Sequence, residues 1–85
     1  MSAKLAGRRF TQDETAEWLV ERMLKVNFGS YEDFAAEVGI DRGTLSRYFR
    51  QERRPSIDVV APLCEALEVS PETLLIALGA IDRKY

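Results

Sequence analysis

Apolar residues recur at intervals of three and four along most of the chain, which is the spacing of one face of an α-helix. No segment shows the sustained alternation of apolar and polar residues that is typical of a half-buried strand. The pattern therefore predicts an all-α fold. Its five helices are expected to cover about residues 12–26, 31–38, 42–49, 57–68 and 71–78.

Local signals mark where these helices begin and end. Thr11 and Glu14 stand in the spacing of a capping box. Gly39 can adopt the left-handed conformation that a tight turn between the second and third helices requires. Pro62 either kinks the fourth helix or shows that its regular part starts later. The predicted N-caps of the four later helices are Ser30, Asp41, Ser56 and Ser70.

The predicted core combines the apolar faces of the helices. We interpret Trp18 as a packing residue rather than a ligand platform, because aromatic side chains usually supply core area. We interpret Cys64 as a small core residue rather than a reactive thiol. The first helix is expected to bury Ala16, Leu19, Val20, Met23 and Leu24.

Length and charge bound the organisation of the chain. Its 85 residues, with a net charge of −2, suffice for one small domain. We predict a basic N-terminal arm over residues 1–10 with Lys4, Arg8 and Arg9, a domain over 11–80, and a tail over 81–85. Residues 41–54 hold five arginines, whereas most of the chain is acidic. Taken alone, this island fits either a surface that binds a polyanion or a solvated loop.

Composition disfavours several classes of function. The chain has no histidine and one cysteine, so it lacks a histidine base, an internal disulfide and any paired metal-ligand spacing. We therefore expect no enzyme, no cofactor and no small-molecule ligand. The longest apolar block, residues 74–78, is too short to cross a bilayer, and no secretory signal is visible. We expect a cytoplasmic protein without a membrane partner.

The third predicted helix has two contrasting faces. Leu45, Tyr48 and Phe49 cluster on one side at 100° per residue. The other side carries Arg42, Gly43, Ser46, Arg47 and Arg50. An ordinary solvated face mixes charges of both signs, whereas this one has no acid after the cap. Two short helices joined at a glycine, the second presenting arginines, match the requirements of a helix-turn-helix at about residues 30–49.

This arrangement suggests roles for the arginines. Arg42 and Arg47 have the chemistry to make paired hydrogen bonds with guanine in the major groove. Arg50, Arg53 and Arg54 lie at or beyond the helix end, where phosphate would run. For Arg53 and Arg54 the alternative is simple solvation.

Residues 30–48, SYEDFAAEVGIDRGTLSRY, carry a resemblance to a known family. The apolar pattern, the alanine at 35 and the glycine at 39 resemble the lambda-repressor-like, Cro-type helix-turn-helix family. Residues 54–58 and 66–75 are similar to its fourth and fifth helices. The resemblance covers about residues 23–75 and implies a sequence-specific regulator of double-stranded DNA, a repressor of phage or prokaryotic type.

The resemblance also implies site residues. Base reading falls on Arg42, Gly43 and Arg47, with Ser46 on the same face. Backbone contacts fall on Tyr31, on Asp41 or Thr44, and on the loop with Arg50, Gln51, Arg53 and Arg54. The sequence departs from the family pattern at Tyr31, which replaces a glutamine, at Gly43, which has no side chain to read with, and at Pro62.

The last predicted helix is apolar nearly all round, which indicates a second covered face. We expect Ile76, Ala77, Ala80 and Ile81 to form a homodimer interface, with a partly exposed chain end as the alternative. A dimer would bind a palindromic operator. The alternative function is a protein-interaction module, antitoxin-like or an anti-regulator, whose acidic surfaces bind a basic partner.

Overall fold

The computed structural model describes residues 8–83, and these residues contain five helices and no strand. The all-α prediction is confirmed, and the observed helix ends lie close to the predicted ones. Lys4 lies outside the described residues, as do the rest of residues 1–7 and residues 84–85 of the predicted tail. The helices are α1 Gln12–Lys25, α2 Tyr31–Val38, α3 Arg42–Phe49, α4 Ile57–Leu67 and α5 Pro71–Ala77.

All five helices start directly after their predicted caps, and four of the five caps accept a hydrogen bond in their side chains. Thr11 and Glu14 form a full capping box, because each side chain accepts a hydrogen bond from the other residue's backbone N–H, at 3.2 and 2.8 Å. The Ser30 and Ser70 side chains also accept from the third residue of their helices. Ser56 has the extended backbone of an N-cap, but its side chain makes no capping hydrogen bond.

A single apolar core joins the five helices. α2 packs on α3 and α4, α1 packs on α3 and α5, and α4 packs on α5. Cys64 is buried among these residues, as predicted, and burial raises the pKa of its thiol. Trp18 is half-buried and packs against the core. The fully buried large apolar residues are Leu19, Phe34, Leu45, Phe49, Leu63, Leu67, Leu74 and Leu78.

The buried face of α1 agrees only in part with the predicted one: Leu19 and Met23 are buried as expected, and three other residues are not. Val20 and Leu24 are 49% and 70% exposed, and Ala16 is also exposed. The buried face instead includes Thr15, which has no exposed surface and donates a hydrogen bond from its Oγ1 to the carbonyl oxygen of Ala77 at 2.6 Å. Because its hydroxyl has a hydrogen-bond partner, Thr15 can be buried although it is polar. The apolar pattern alone predicted burial of the neighbouring Ala16 instead.

Pro62 lies inside α4, which begins at Ile57, so the regular helix does not start after the proline. α4 ends at a left-handed residue, Glu68, with φ +58°. Arg22 of α1 donates hydrogen bonds to the carbonyl oxygens of Leu67 and Glu68, at 2.6 and 3.0 Å. It therefore satisfies carbonyls that have no partner within the helix, a role that no local sequence signal indicates.

Candidate DNA-binding surface

A three-residue turn joins α2 to α3. Gly39 has φ +89°, and its N–H donates to the carbonyl oxygen of Ala35 at 2.9 Å. The N–H of Ile40 donates to the same oxygen at 3.0 Å. Glycine adopts this left-handed conformation without strain, so α2 can stop within one residue. Asp41 is the N-cap of α3, so only three residues separate the eight-residue helices α2 and α3.

The inner face of α3 anchors it to the core. Leu45, Tyr48 and Phe49 are buried, and the ring centroid of Phe49 lies 6.4 Å from that of Phe34 in α2. Ala35 is only 2% exposed, and its small side chain lets the two helices approach closely. The inner face therefore determines the orientation of α3 in the domain.

The outer face of α3 carries the predicted base-reading residues. Arg42, Gly43 and Arg47 are exposed, and Ser46 is half-buried at the edge of this face. α3 itself contains no acidic residue. The structure thus brings these four residues to the side of α3 that faces away from the core.

The Asp41 carboxylate is turned onto the start of α3. Its Oδ1 accepts from the N–H of Thr44 at 2.8 Å, and its Oδ2 accepts from the Thr44 hydroxyl at 2.9 Å. These hydrogen bonds hold the pKa of Asp41 below its usual range, with the N–H of Thr44 as the largest cause. We expected either Asp41 or Thr44 to contact the DNA backbone. In the structure, their side chains are hydrogen-bonded to each other.

Gly43 leaves room for this cap. A Cβ atom at that position would lie 3.2 Å from Oδ1 of Asp41 and 3.9 Å from Nη1 of Arg47. A larger residue would therefore crowd the capping carboxylate. The exposed backbone at Gly43 also leaves the surface of α3 open beside Arg47.

Tyr31 lies at the first position of α2 and is half-buried. It lines a shallow depression between α1, α2 and α3, and Ser46 of α3 lines the same depression. The other lining residues are Ala16, Phe49 and Arg50. A predicted backbone-contact residue of α2 thus lies near the outer edge of α3.

The loop after α3 divides the predicted phosphate contacts into two groups. Arg50 and Arg53 are exposed, and Arg50 forms an ion pair with Glu52 at 3.3 Å. Arg54 instead donates to the carbonyl oxygens of Leu78 and Gly79, and the Gln51 amide donates to the carbonyl oxygen of Phe10 and to the hydroxyl of Thr15 in α1. Gln51 is half-buried and Arg54 is exposed, and both side chains are hydrogen-bonded within the domain. Their contact with phosphate stays a prediction.

The described end of the predicted arm packs beside the C-terminal segment. Arg9 pairs with Asp82 at 3.5 Å, and the carbonyl oxygen of Arg8 accepts from the N–H of Arg83 at 3.2 Å. The Arg83 guanidinium lies 4.6 Å from the ring centroid of Phe10. Residues 8–10 and 82–83 thus contact each other, although the sequence assigned them to an arm and a tail.

Comparison with known proteins identifies the motif. A family model described as helix-turn-helix matches residues 29–74, which include α2, the turn and α3. The chain belongs to the helix-turn-helix family. Within it, the match supports the lambda-repressor-like group of Cro and C1 type. No curated protein and no solved structure gives a match.

Membership gives this helix-turn-helix protein a general function. The family is one of DNA-binding regulatory domains that are not typically enzymes, and the chain is a DNA-binding regulator in this general sense. Within residues 8–83, no helix combines the length and the apolar character needed to cross a membrane. α3 is the second helix of the motif, the one that enters the major groove in proteins of this class.

The predicted dimer residues of this helix-turn-helix protein are not equivalent in the structure. Ile76, Ala80 and Ile81 are half-buried, but Ala77 is 1% exposed and belongs to the core. Ala77 therefore has almost no surface to offer a second subunit. Ile57, at the start of α4, is 83% exposed, which is the largest value among the exposed large apolar residues.

Proposed function

We propose that this protein is a sequence-specific regulator of double-stranded DNA that inserts α3 into the major groove. The observation that carries the proposal is the outer face of α3, where Arg42 and Arg47 are exposed on a helix without acidic residues. A guanidinium makes two parallel hydrogen bonds to O6 and N7 of guanine, so each arginine has the donors to read one base pair. Family membership supports the same assignment.

Residues around this face would hold the helix in register. Arg50 and Arg53 are exposed beyond the end of α3, and Tyr31 lies at the start of α2. In this proposal they contact phosphate and contribute affinity rather than base identity. Arg8 and Arg9, with Lys4 of the arm, would add phosphate contacts outside the groove. Gly43 would let the DNA backbone or base edges approach α3 closely.

We further propose that the protein is a repressor of phage or prokaryotic type that binds a palindromic operator as a homodimer. Ile76, Ala80 and Ile81 keep partial exposure at the end of α5 and just beyond it. An apolar surface of this kind is stabilised when a second copy covers it. Occupation of an operator that overlaps a promoter would exclude polymerase.

A salt titration tests the DNA-binding proposal. Affinity for a random-sequence duplex is measured by fluorescence anisotropy for the wild type, Arg53→Ala and Arg47→Ala. Each phosphate contact contributes about −0.9 to the slope of log K against log salt, so Arg53→Ala should reduce the slope by about that amount. Arg47→Ala should retain its binding to the random-sequence duplex and should prefer a duplex selected from a random pool less strongly than the wild type does. Unchanged binding and preference in both variants would refute the proposal.

Sedimentation velocity tests the dimer. Ile76→Glu should shift the protein to monomer, because a carboxylate cannot be buried without a partner. Val20→Glu is the matched control, since Val20 is also apolar and 49% exposed but lies on α1. Dissociation by the control alone would move the interface to α1, and a monomeric wild type would exclude the dimer.

One observation favours the alternative of a protein-interaction module. α1 exposes Ala16, Val20 and Leu24 along one face, and Glu17 and Glu21 lie beside Val20 in a shallow depression. Apolar surface with acidic edges would suit a basic protein partner. Duplex binding that is absent, or that does not depend on salt, would favour this function over DNA binding.

A further inference from the structure

The end of α5 receives hydrogen bonds from two distant segments. Three consecutive carbonyl oxygens, at Ala77, Leu78 and Gly79, each accept from a side chain. The Thr15 hydroxyl donates to Ala77 at 2.6 Å, and the Arg54 guanidinium donates to Leu78 at 2.7 Å and to Gly79 at 3.3 Å. Carbonyls at a helix end have no partner within the helix, so these side chains satisfy them.

Gln51 packs against the same place. Its Nε2 donates to the carbonyl oxygen of Phe10 at 2.9 Å and to the hydroxyl of Thr15 at 2.8 Å. A Cβ atom at Gly79, where φ is +74°, would lie 2.3 Å from this nitrogen. The absence of a side chain at Gly79 is therefore what lets Gln51 reach its two acceptors.

The loop between Gln51 and Arg54 is bound to the last turn of α3. The N–H groups of Glu52 and Arg53 donate to the carbonyl oxygen of Arg47, at 2.9 and 3.3 Å. The N–H of Gln51 donates to the carbonyl oxygen of Tyr48 at 3.1 Å. The loop and the last turn of α3 are therefore one hydrogen-bonded unit. Contacts that fix the position of the loop also fix the position of the end of α3.

We infer that Gln51 and Arg54 are positioning residues that fix the C-terminal end of α3 against α1 and the end of α5. This inference rests on the proposed function, because it concerns the helix that would read DNA. The planar fork of Arg54 spans two adjacent carbonyl oxygens, which a single ammonium group does not reproduce. Its hydrogen bonds connect the outer face of α3, through the loop, to the segment that precedes Ala80 and Ile81.

Lysine substitution separates positioning from phosphate contact. A lysine at a phosphate contact keeps its charge and most of its affinity, whereas a lysine at position 54 would lose the fork. Arg54→Lys and Arg54→Met are compared with Arg53→Met, whose parent side chain is exposed on the same loop. All proteins are full-length and are studied at a temperature where circular dichroism shows them fully folded.

The first measurement needs no DNA. In the free Arg54→Met protein, amide hydrogen exchange should accelerate on the order of tenfold at Glu52, Arg53 and Ala80. The reason is that the lost hydrogen bonds of the guanidinium connect the loop after α3 to the segment after α5. Arg53→Met should exchange as the wild type does. Unchanged exchange in Arg54→Met would overturn the inference, whatever the outcome of DNA binding.

The second measurement is the salt titration with a random-sequence duplex. We expect both Arg54 variants to bind on the order of tenfold more weakly with the slope of the wild type, because a displaced α3 loses affinity without losing a phosphate contact of its own. Wild-type binding by Arg54→Lys, together with a slope reduced by about 0.9 in Arg54→Met, would make Arg54 a phosphate contact. If the wild type binds no duplex, the proposed function fails, and hydrogen exchange in the free protein alone decides whether Arg54 positions the end of α3.

Discussion

Replacing Thr15 by valine should destabilise the domain far more than its conservative character suggests. Valine has nearly the shape of threonine, so the core keeps its packing, but the hydroxyl is lost from a site with no exposed surface. That hydroxyl donates to the carbonyl oxygen of Ala77 and accepts from Gln51. The substitution removes both hydrogen bonds at once and leaves two polar groups with fewer partners.

The magnitude follows from these two bonds. The lost hydrogen bond from Gln51, whose amide keeps a second acceptor at Phe10, costs about 0.5–1.5 kcal/mol, and the buried Ala77 carbonyl left without its donor costs about 1–3 kcal/mol, so the total is about 1.5–4.5 kcal/mol. For a domain of this size, each kcal/mol lowers Tm by roughly 4–8 °C, so we expect Tm to fall by at least roughly 6 °C. The total is a large share of the ~5–15 kcal/mol that stabilises a typical domain.

Urea unfolding followed by circular dichroism measures this free energy. The midpoint should fall while the m-value stays unchanged, because the surface exposed on unfolding is the same. Thr73→Val is the matched control, since Thr73 is exposed and its hydroxyl bonds only to the Ser70 side chain among the bonds seen in the structure. It should change stability by less than ~0.5 kcal/mol. Equal stability of Thr15→Val and the control would refute the role of the hydroxyl.

Three further predictions concern other contacts. Gly79→Ala should lower Tm by several degrees, on the order of 1–3 kcal/mol, because its φ of +74° strains any side chain and its Cβ would displace Gln51. Arg83 and the backbone of the capping box hold the pKa of Glu14 at about 2 rather than 4.5, so wild-type stability should fall between pH 4.5 and 2 in urea titrations, and Glu14→Gln should flatten that dependence. Gly43→Ala should gain up to about 1 kcal/mol of helix propensity, reduced by crowding of the cap, yet bind DNA more weakly by anisotropy. A wild-type Tm in Gly79→Ala would contradict the first prediction, and a wild-type pH profile in Glu14→Gln would contradict the second. Tighter DNA binding by Gly43→Ala would contradict the third.

Much of the fold was predictable because its signals are local. A capping box extends over four residues, and Gly39 and Asp41 mark the turn where the chain itself must change conformation. The two faces of α3 also follow from its own periodicity, since its inner residues are apolar and its outer ones are not. Helix ends and the orientation of α3 were therefore accessible without tertiary information.

The contacts of Gln51, Arg54 and Thr15 were not predictable in the same way. Arg54 bonds to a carbonyl 24 residues away, and Thr15 bonds to one 62 residues away. Sequence patterns identify an arginine after a helix. They do not show whether its N–H groups donate to DNA phosphate or to carbonyl oxygens of the protein itself. The same limit explains α1, where Val20 and Leu24 continue an apolar stripe that the neighbouring helices do not cover.

The central claim is that the outer face of α3 reads base sequence through its arginines. Selection from a random duplex pool, carried out in parallel with the wild type and Arg47→Ala, tests it most directly. We predict that the wild type enriches a palindromic sequence with half-site centres about one helical turn apart, and that Arg47→Ala no longer selects one base pair in each half-site. No enrichment by the wild type, or the same enriched sequence from both proteins, would contradict the claim.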